Sequence, residues 1–183
     1  MRKVTIVVLP FLLLAAVLLY AQQDKSKRPS QPGTASVTFA DGKKITIDYS
    51  RPKINDPKTG QPRKIFGNVV PYDKEWRTGA NEATTFVTDT NVKVGDLSVP
   101  AGNYTLYTIP GESEWTIIIN KQTGQWGTVY QQDQDLGRTK VASGKTGDTV
   151  QQFTISFDPV SGKSTKMNLE WENTKVSVPI TQE

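Results

Sequence analysis

The chain runs to 183 residues, with 22 Lys and Arg, 18 Asp and Glu, and neither His nor Cys. That composition excludes the ordinary zinc ligand sets, a Ser-His-Asp triad, a Cys-His pair and any disulfide. Leaving out Arg2 and Lys3, 20 basic residues face 18 acidic ones, interspersed along the chain, and no basic patch suited to nucleic acid stands out.

Arg2 and Lys3 open the chain, Val4 to Tyr20 carries no charge, and Ala21 leads into polar Gln22-Gln23-Asp24. This is the layout of a cleavable secretory signal helix over residues 1–21. It implies export to the periplasm or beyond the cell, with no membrane contact after cleavage. Leu19 stands where a smaller residue is usual, which keeps open an inner-membrane anchor over residues 4–21; Pro10 within the run weighs against a rigid spanning helix. Residues 22–33 (QQDKSKRPSQPG) are polar and rich in proline, and read as a flexible linker. Residues 34–183 remain for a single domain. About 150 residues bury roughly 70% of their unfolded surface, enough for a core that has no disulfide to support it.

Period-two alternation dominates the domain. Ile45, Ile47 and Tyr49 alternate with Lys44, Thr46, Asp48 and Ser50. Phe153, Ile155 and Phe157, then Met167, Leu169 and Trp171, then Val176, Val178 and Ile180 repeat the pattern. Each predicts a half-buried strand. Tyr104–Ile109 and Trp115–Ile119 are apolar on both faces and predict central strands, joined as a hairpin by Pro110-Gly111-Glu112-Ser113. Gly95-Asp96 suits a two-residue hairpin between Val92/Val94 and Leu97/Val99. Asp158 to Thr165 is a longer turn, and Glu172-Asn173 is expected to turn one strand into the next. Lys64 to Lys74 holds one helical turn at most. About eight or nine short strands with regular turn signals predict an all-β fold, an antiparallel β-sandwich of jelly-roll-like form. Two long segments, Pro52–Glu82 and Lys121–Thr149, read as irregular loops, and loops of that length in a compact domain are usually functional or disordered.

Several of these stretches together resemble one bacterial family. They are Ile47-Asp48-Tyr49-Ser50-Arg51-Pro52, Ile65-Phe66-Gly67, Val70-Pro71-Tyr72, Trp76-Arg77-Thr78-Gly79-Ala80-Asn81-Glu82-Ala83-Thr84, Pro100 to Gly111, Glu114-Trp115-Thr116 and Trp171 to Val176. The combination is similar to the domain-of-unknown-function family numbered 2911, found in secreted proteins of Bacteroidetes and related phyla. The resemblance spans about residues 35 to 180 and implies no particular activity. Asn55 to Arg63 departs from the family pattern as an insertion, and Lys121–Thr149 matches it least.

The densest chemistry lies in Trp76–Glu82, where an aromatic, a guanidinium, an amide and a carboxylate stand within seven residues. The plainest reading of Arg77 and Glu82 is an ion pair that anchors the loop on the sheet. The sharper reading is a ligand site: Arg77 offers a planar fork, Asn81 a donor and an acceptor, and Glu82 an acceptor or a base. Glu82 is the candidate catalytic residue, although a neighbouring Arg77 would pull its pKa the wrong way. A glycosidase would need a second carboxylate facing it, and Glu75 is available for that role. Trp115, Trp171 and Tyr49 are in phase with apolar neighbours and read as core. Trp126, in Gly124-Gln125-Trp126-Gly127, is either an exposed platform or a lid, and Arg51 and Tyr107 complete the candidate cluster. Asp133 and Asp135, and Asp89 with Asn91, lack the spacing of a calcium loop and read as solvated surface. No metal and no cofactor is expected.

The leading expectation is an exported binding module for a small polar ligand, a glycan or an envelope partner. A carboxylate-dependent hydrolase is the alternative, and a structural envelope protein with no small-molecule site the third reading.

Overall fold

The computed structural model of the protein describes residues 25–183. The signal helix, its anchor alternative and the first linker residues lie outside them. The described chain contains nine strands: β1 (Gln31–Thr38), β2 (Lys44–Arg51), β3 (Thr84–Thr88), β4 (Val92–Val94), β5 (Leu97–Val99), β6 (Gly102–Ile109), β7 (Glu114–Asn120), β8 (Asp135–Phe157) and β9 (Ser164–Gln182). All pair antiparallel in the order β1-β2-β3-β6-β7-β8-β9-β4-β5. The expected hairpins are present: Ile109 pairs with Thr116 across Pro110–Ser113, and Val94 with Leu97 across Gly95-Asp96.

One sheet of nine strands forms a sandwich by doubling over, and β8 and β9 are where it does so. The first part of β8 pairs with β7 (Trp115↔Val141, Ile118↔Arg138) and the rest with β9 (Ile155↔Leu169). A straight strand of that length would reach about 75 Å at roughly 3.3 Å per residue, far beyond a domain of this size, so it must bend. The bend is a bulge. Lys145 pairs with Thr174 and Val150 with Glu172, so β8 advances further than β9 over the same stretch. Glu172 answers with a left-handed backbone, φ 55°.

Three expectations are corrected by this topology. Glu172-Asn173 is this bulge and not a turn, because both flanks of β9 stay paired to β8. Asp135–Thr149 is strand and not loop: its Gly, Asp and Thr content is poor in β-propensity, but the free edge of β7 pairs residues 135–142 and β9 pairs residues 143–145. Nor is the whole of residues 22–33 a free linker, since Lys25–Lys27 forms a 3-10 turn and β1 starts at Gln31, laid along Arg51 of β2.

The alternation does place the core. Ile45, Ile47, Phe86, Leu106, Ile117 and Ile119 face Ile155, Met167, Leu169, Val176, Val178 and Ile180, all buried. At one end the space is filled by rings. Trp76 lies 4.9 Å from Phe153 and 6.0 Å from Trp171, and Phe66 lies 5.0 Å from Trp115. Trp76 and Phe66 come from the long Pro52–Glu82 segment, which also buries Ile54, Ile65 and Val70. That segment therefore caps the sandwich. It also closes one side: past β2, Lys53 bridges Gln152, Phe153 N–H donates to Pro52 O at 2.9 Å, and Ile54 N–H donates to Gln151 O at 2.9 Å. The outer face of β6 and β7 carries a second small core of Tyr107, Ile118 and Ala83, covered by Tyr130. The two-faced apolarity of those strands is thereby satisfied.

Candidate functional site

The cap folds as it does because Trp76 is pulled inward and the chain must then turn back at once. Trp76 pairs with Thr108 of β6 (N–H to O 2.7 Å, returned at 2.9 Å), and its indole Nε1 donates to Gly79 O at 3.1 Å. Thr78 follows with φ 52° and no exposed surface. A β-branched residue in the left-handed region costs on the order of 1–3 kcal/mol. The Thr78 hydroxyl on Thr108 Oγ1 (3.1 Å) and the Thr84 hydroxyl on Thr78 O (2.8 Å) hold it there. At Gly79 a Cβ would lie 2.9 Å from Ser50 O, so only glycine passes. Asn81 makes the second left-handed turn, φ 60°, and its Nδ2 donates to Ser50 Oγ at 3.2 Å.

These two turns send Arg77 and Glu82 apart, and the ion pair expected between them does not form. Glu82 is held from the N-terminal side: Arg28 Nη1 lies 2.8 Å from both carboxylate oxygens, and Lys25 Nζ lies 3.4 Å from one of them. Burial pushes the Glu82 carboxyl up, but the Arg28 hydrogen bond and the Lys25 and Arg28 charges outweigh it and hold the group below its ordinary value. A carboxylate so clasped is no general acid.

Arg77 is half-buried. Its Nη1 donates to Asn81 O at 3.3 Å, and no carboxylate among the described residues pairs with it. Burial pulls the guanidinium below its ordinary value, with the Tyr107 hydroxyl opposing. It lies under the loop after β7, where Ala83 N–H donates to Gln125 O (3.1 Å) and Gly127 N–H to Asn81 O (3.0 Å). Gly127 allows this contact, because a Cβ there would meet Arg77 Cδ at 2.3 Å.

Arg77 and Asn81 open onto a cleft of about 750 Å³. Trp76 and Trp171 line its base, and Trp126, 48% exposed, stands at its edge. One wall is Lys53, Asn55, Asp56 and Arg63; another is Lys27, Pro29 and Ser30. Asp56 is spent within its own wall: Oδ1 accepts from Lys58 N (2.8 Å) and Thr59 N (3.1 Å), and Oδ2 lies 3.6 Å from Arg63 Nη1. Trp171 is 2% exposed and its Nε1 finds no partner among the described residues.

Of the residues expected at the site, Trp76, Arg77, Asn81 and Trp126 meet in this cleft. Glu82 lines a different cavity, with Lys25, Tyr49 and Thr85. Arg51 turns to the opposite layer, donating to Phe153 O (3.3 Å) and Thr154 Oγ1 (3.1 Å), and has no place in the cleft. Tyr107 is a buried prop: its hydroxyl donates to Val129 O at 2.8 Å and accepts from Gln125 Nε2 at 3.2 Å. Glu75 lines a small cavity beneath the Trp126 loop, away from Glu82. Both Asp135 oxygens are engaged, by Asn120, Tyr130 and Arg138, and no cluster of acidic groups among the described residues is arranged for a metal. Sequence reasoning missed Lys53, Asn55 and Arg63. The signal was the apparent insertion at Asn55–Arg63, whose length builds a wall of the cleft.

A family model described as a protein of unknown function, DUF2911, matches residues 30–180. No curated protein and no solved structure shows a significant match to the chain.

Proposed function

From the premise that the chain belongs to the DUF2911 family, whose description names no activity, we propose that it is a binding module for a small polar ligand held in the Arg77–Trp126 cleft. One observation carries this reading: a half-buried guanidinium with no acidic partner among the described residues lies in the same cleft as an exposed Trp126. A buried charge is expensive unless something pairs with it, and the exposed ring of Trp126 in the same cleft offers a flat apolar face for contact. The strained Thr78 backbone supports the same reading, since such strain is retained where a loop must present groups at a fixed geometry. Export to the periplasm or cell exterior belongs to the proposal and rests on the Arg2–Ala21 layout.

The hydrolase alternative loses ground because Glu75 and Glu82 line separate cavities and Glu82 is kept ionised by Arg28. A purely structural role leaves unexplained why Arg77 has no carboxylate partner among the described residues. The test is a thermal-shift screen of sugars, peptides and organic anions on the purified protein, beside Arg77→Ala and Trp126→Ala. A ligand at a hundred times its Kd adds about 2.7 kcal/mol to stability. A shift lost in both variants, with circular dichroism unchanged, is the expected result. A shift that survives both substitutions refutes this site.

A further inference from the structure

We infer that the ligand is an acidic sugar, a hexuronate-type ring carrying a carboxylate, with the carboxylate on Arg77 and the ring face on Trp126. The inference rests on the binding reading above and specifies its ligand class. The first ground is the charge of the lining. Lys53, Arg63 and Arg77 line the cleft against one acid among the described residues, Asp56, and that acid is already taken by Arg63 and by its own turn. Lys53 has no ion-pair partner among the described residues. Among the described residues, Lys53 and Arg77 thus face the cleft with no carboxylate there to spare. Withdrawn from water, a guanidinium pairs best with a group that accepts two parallel N–H bonds in one plane, which is a carboxylate.

The second ground is the platform. Trp126 projects from a polar loop pinned by three backbone hydrogen bonds, Ala83 N–H to Gln125 O, Gly127 N–H to Asn81 O and Val129 N–H to Trp126 O. A pinned loop offers a fixed flat face, and the C–H face of a pyranose stacks on such a ring. Gly127 brings the chain next to Trp126 against the Arg77 side chain. The cation and the ring thus line one cleft, joined through Gly127. Asn55, Ser30 and Asn81 supply uncharged donors and acceptors around the remainder, suited to hydroxyls. A neutral sugar would cover Arg77 and leave its charge unpaired, so the site discriminates against it.

The test is calorimetric titration of the protein with oligogalacturonate and oligoglucuronate, with neutral galactose and glucose oligomers of equal length, and with acetate. The uronates are expected to bind about tenfold or more tighter than the neutral oligomers, and to weaken in high salt. Arg77→Lys should lose most of that preference, Trp126→Ala should lose affinity for both classes, and Lys53→Gln, on an exposed wall, should reduce uronate affinity without touching the fold. Acetate binding as strongly as the uronates would overturn the role of the ring. Equal affinity for charged and neutral sugars, or a preference unchanged in Arg77→Lys and Lys53→Gln, would overturn the inference while the cleft remained a sugar site. If another class of molecule from the thermal screen binds through Arg77 and Trp126 and the uronates do not, the inference fails and the binding reading stands. If nothing binds, both fail.

Discussion

Gly127→Ala tests the joint on which the cleft depends. The backbone there is not left-handed, so alanine is conformationally allowed and only space is at issue. The new Cβ would lie 2.3 Å from Arg77 Cδ, 2.7 Å from Asn81 O and 2.9 Å from Arg77 Cβ. Arg77 Cδ can swing away. Asn81 O cannot, because it is backbone and accepts the N–H of Gly127 itself at 3.0 Å, and Arg77 Cβ is held one residue before the strained Thr78. The Trp126–Gly127 strand must lift off. Overpacking of this kind costs about 1–3 kcal/mol, and the lower entropy of the unfolded alanine chain returns about 0.4–1 kcal/mol. The net loss is about 1–2 kcal/mol, or about 2–8 °C in Tm for a domain of this size. Urea unfolding followed by tryptophan fluorescence measures it. Gly147→Ala is the control: that glycine is exposed in β8, has nothing within 4 Å of its Cβ position, and should be neutral or slightly stabilising. If Gly127→Ala unfolds at the parent's urea midpoint, the loop does not rest on Arg77 as described.

Trp76→Phe and Trp171→Phe should differ although both rings are core. The first strands Gly79 O, which accepts the indole N–H; the second removes a buried donor that has no partner among the described residues. An unsatisfied buried polar group costs about 1–3 kcal/mol, so Trp171→Phe should be the milder by about 1–2 kcal/mol in urea unfolding, and the reverse order would refute the assignment. Glu82→Gln releases Arg28 and Lys25, and should cost about 0.2–1 kcal/mol while speeding tryptic cleavage between residues 25 and 30. Because the folded-state pKa of Glu82 is lowered, the clasp contributes fully above its ordinary value of 4.5 and is lost as pH falls through the lower folded value. Amide exchange of residues 25–30 on acidification should show that release, and no change would refute it. Tyr130 should ionise late in an absorbance titration: burial, then the Asp135 hydrogen bond and charge, push it up to about 12. Its contribution to stability is present below about 10 and lost as pH rises through about 12, and Asp135→Asn should bring the titration down.

Local alternation made the sheet legible. Ile45, Ile47 and Tyr49, or Val176, Val178 and Ile180, declare a buried face because side chains alternate along any extended strand, whatever lies opposite. Composition likewise removed zinc, thiol and triad chemistry before any fold was known. The chemical density of Trp76–Glu82 was visible in the sequence, but its internal pairing was not readable. Nearness in sequence suggested Arg77 with Glu82, whereas left-handed turns at Thr78 and Asn81 face them into separate cavities and give Glu82 to Arg28, fifty-four residues away. Asp135–Thr149 read as loop because its residues form strands poorly alone; the edges of β7 and β9 recruit its first eleven residues. The cleft itself is wholly tertiary. Its walls come from Lys27–Ser30, Lys53–Arg63, Arg77–Asn81 and the Trp126 loop. A sequence determines which faces must be buried, because that follows from period and polarity. Which charges are left unpaired, and so where a ligand is wanted, is decided only when distant segments have taken their partners.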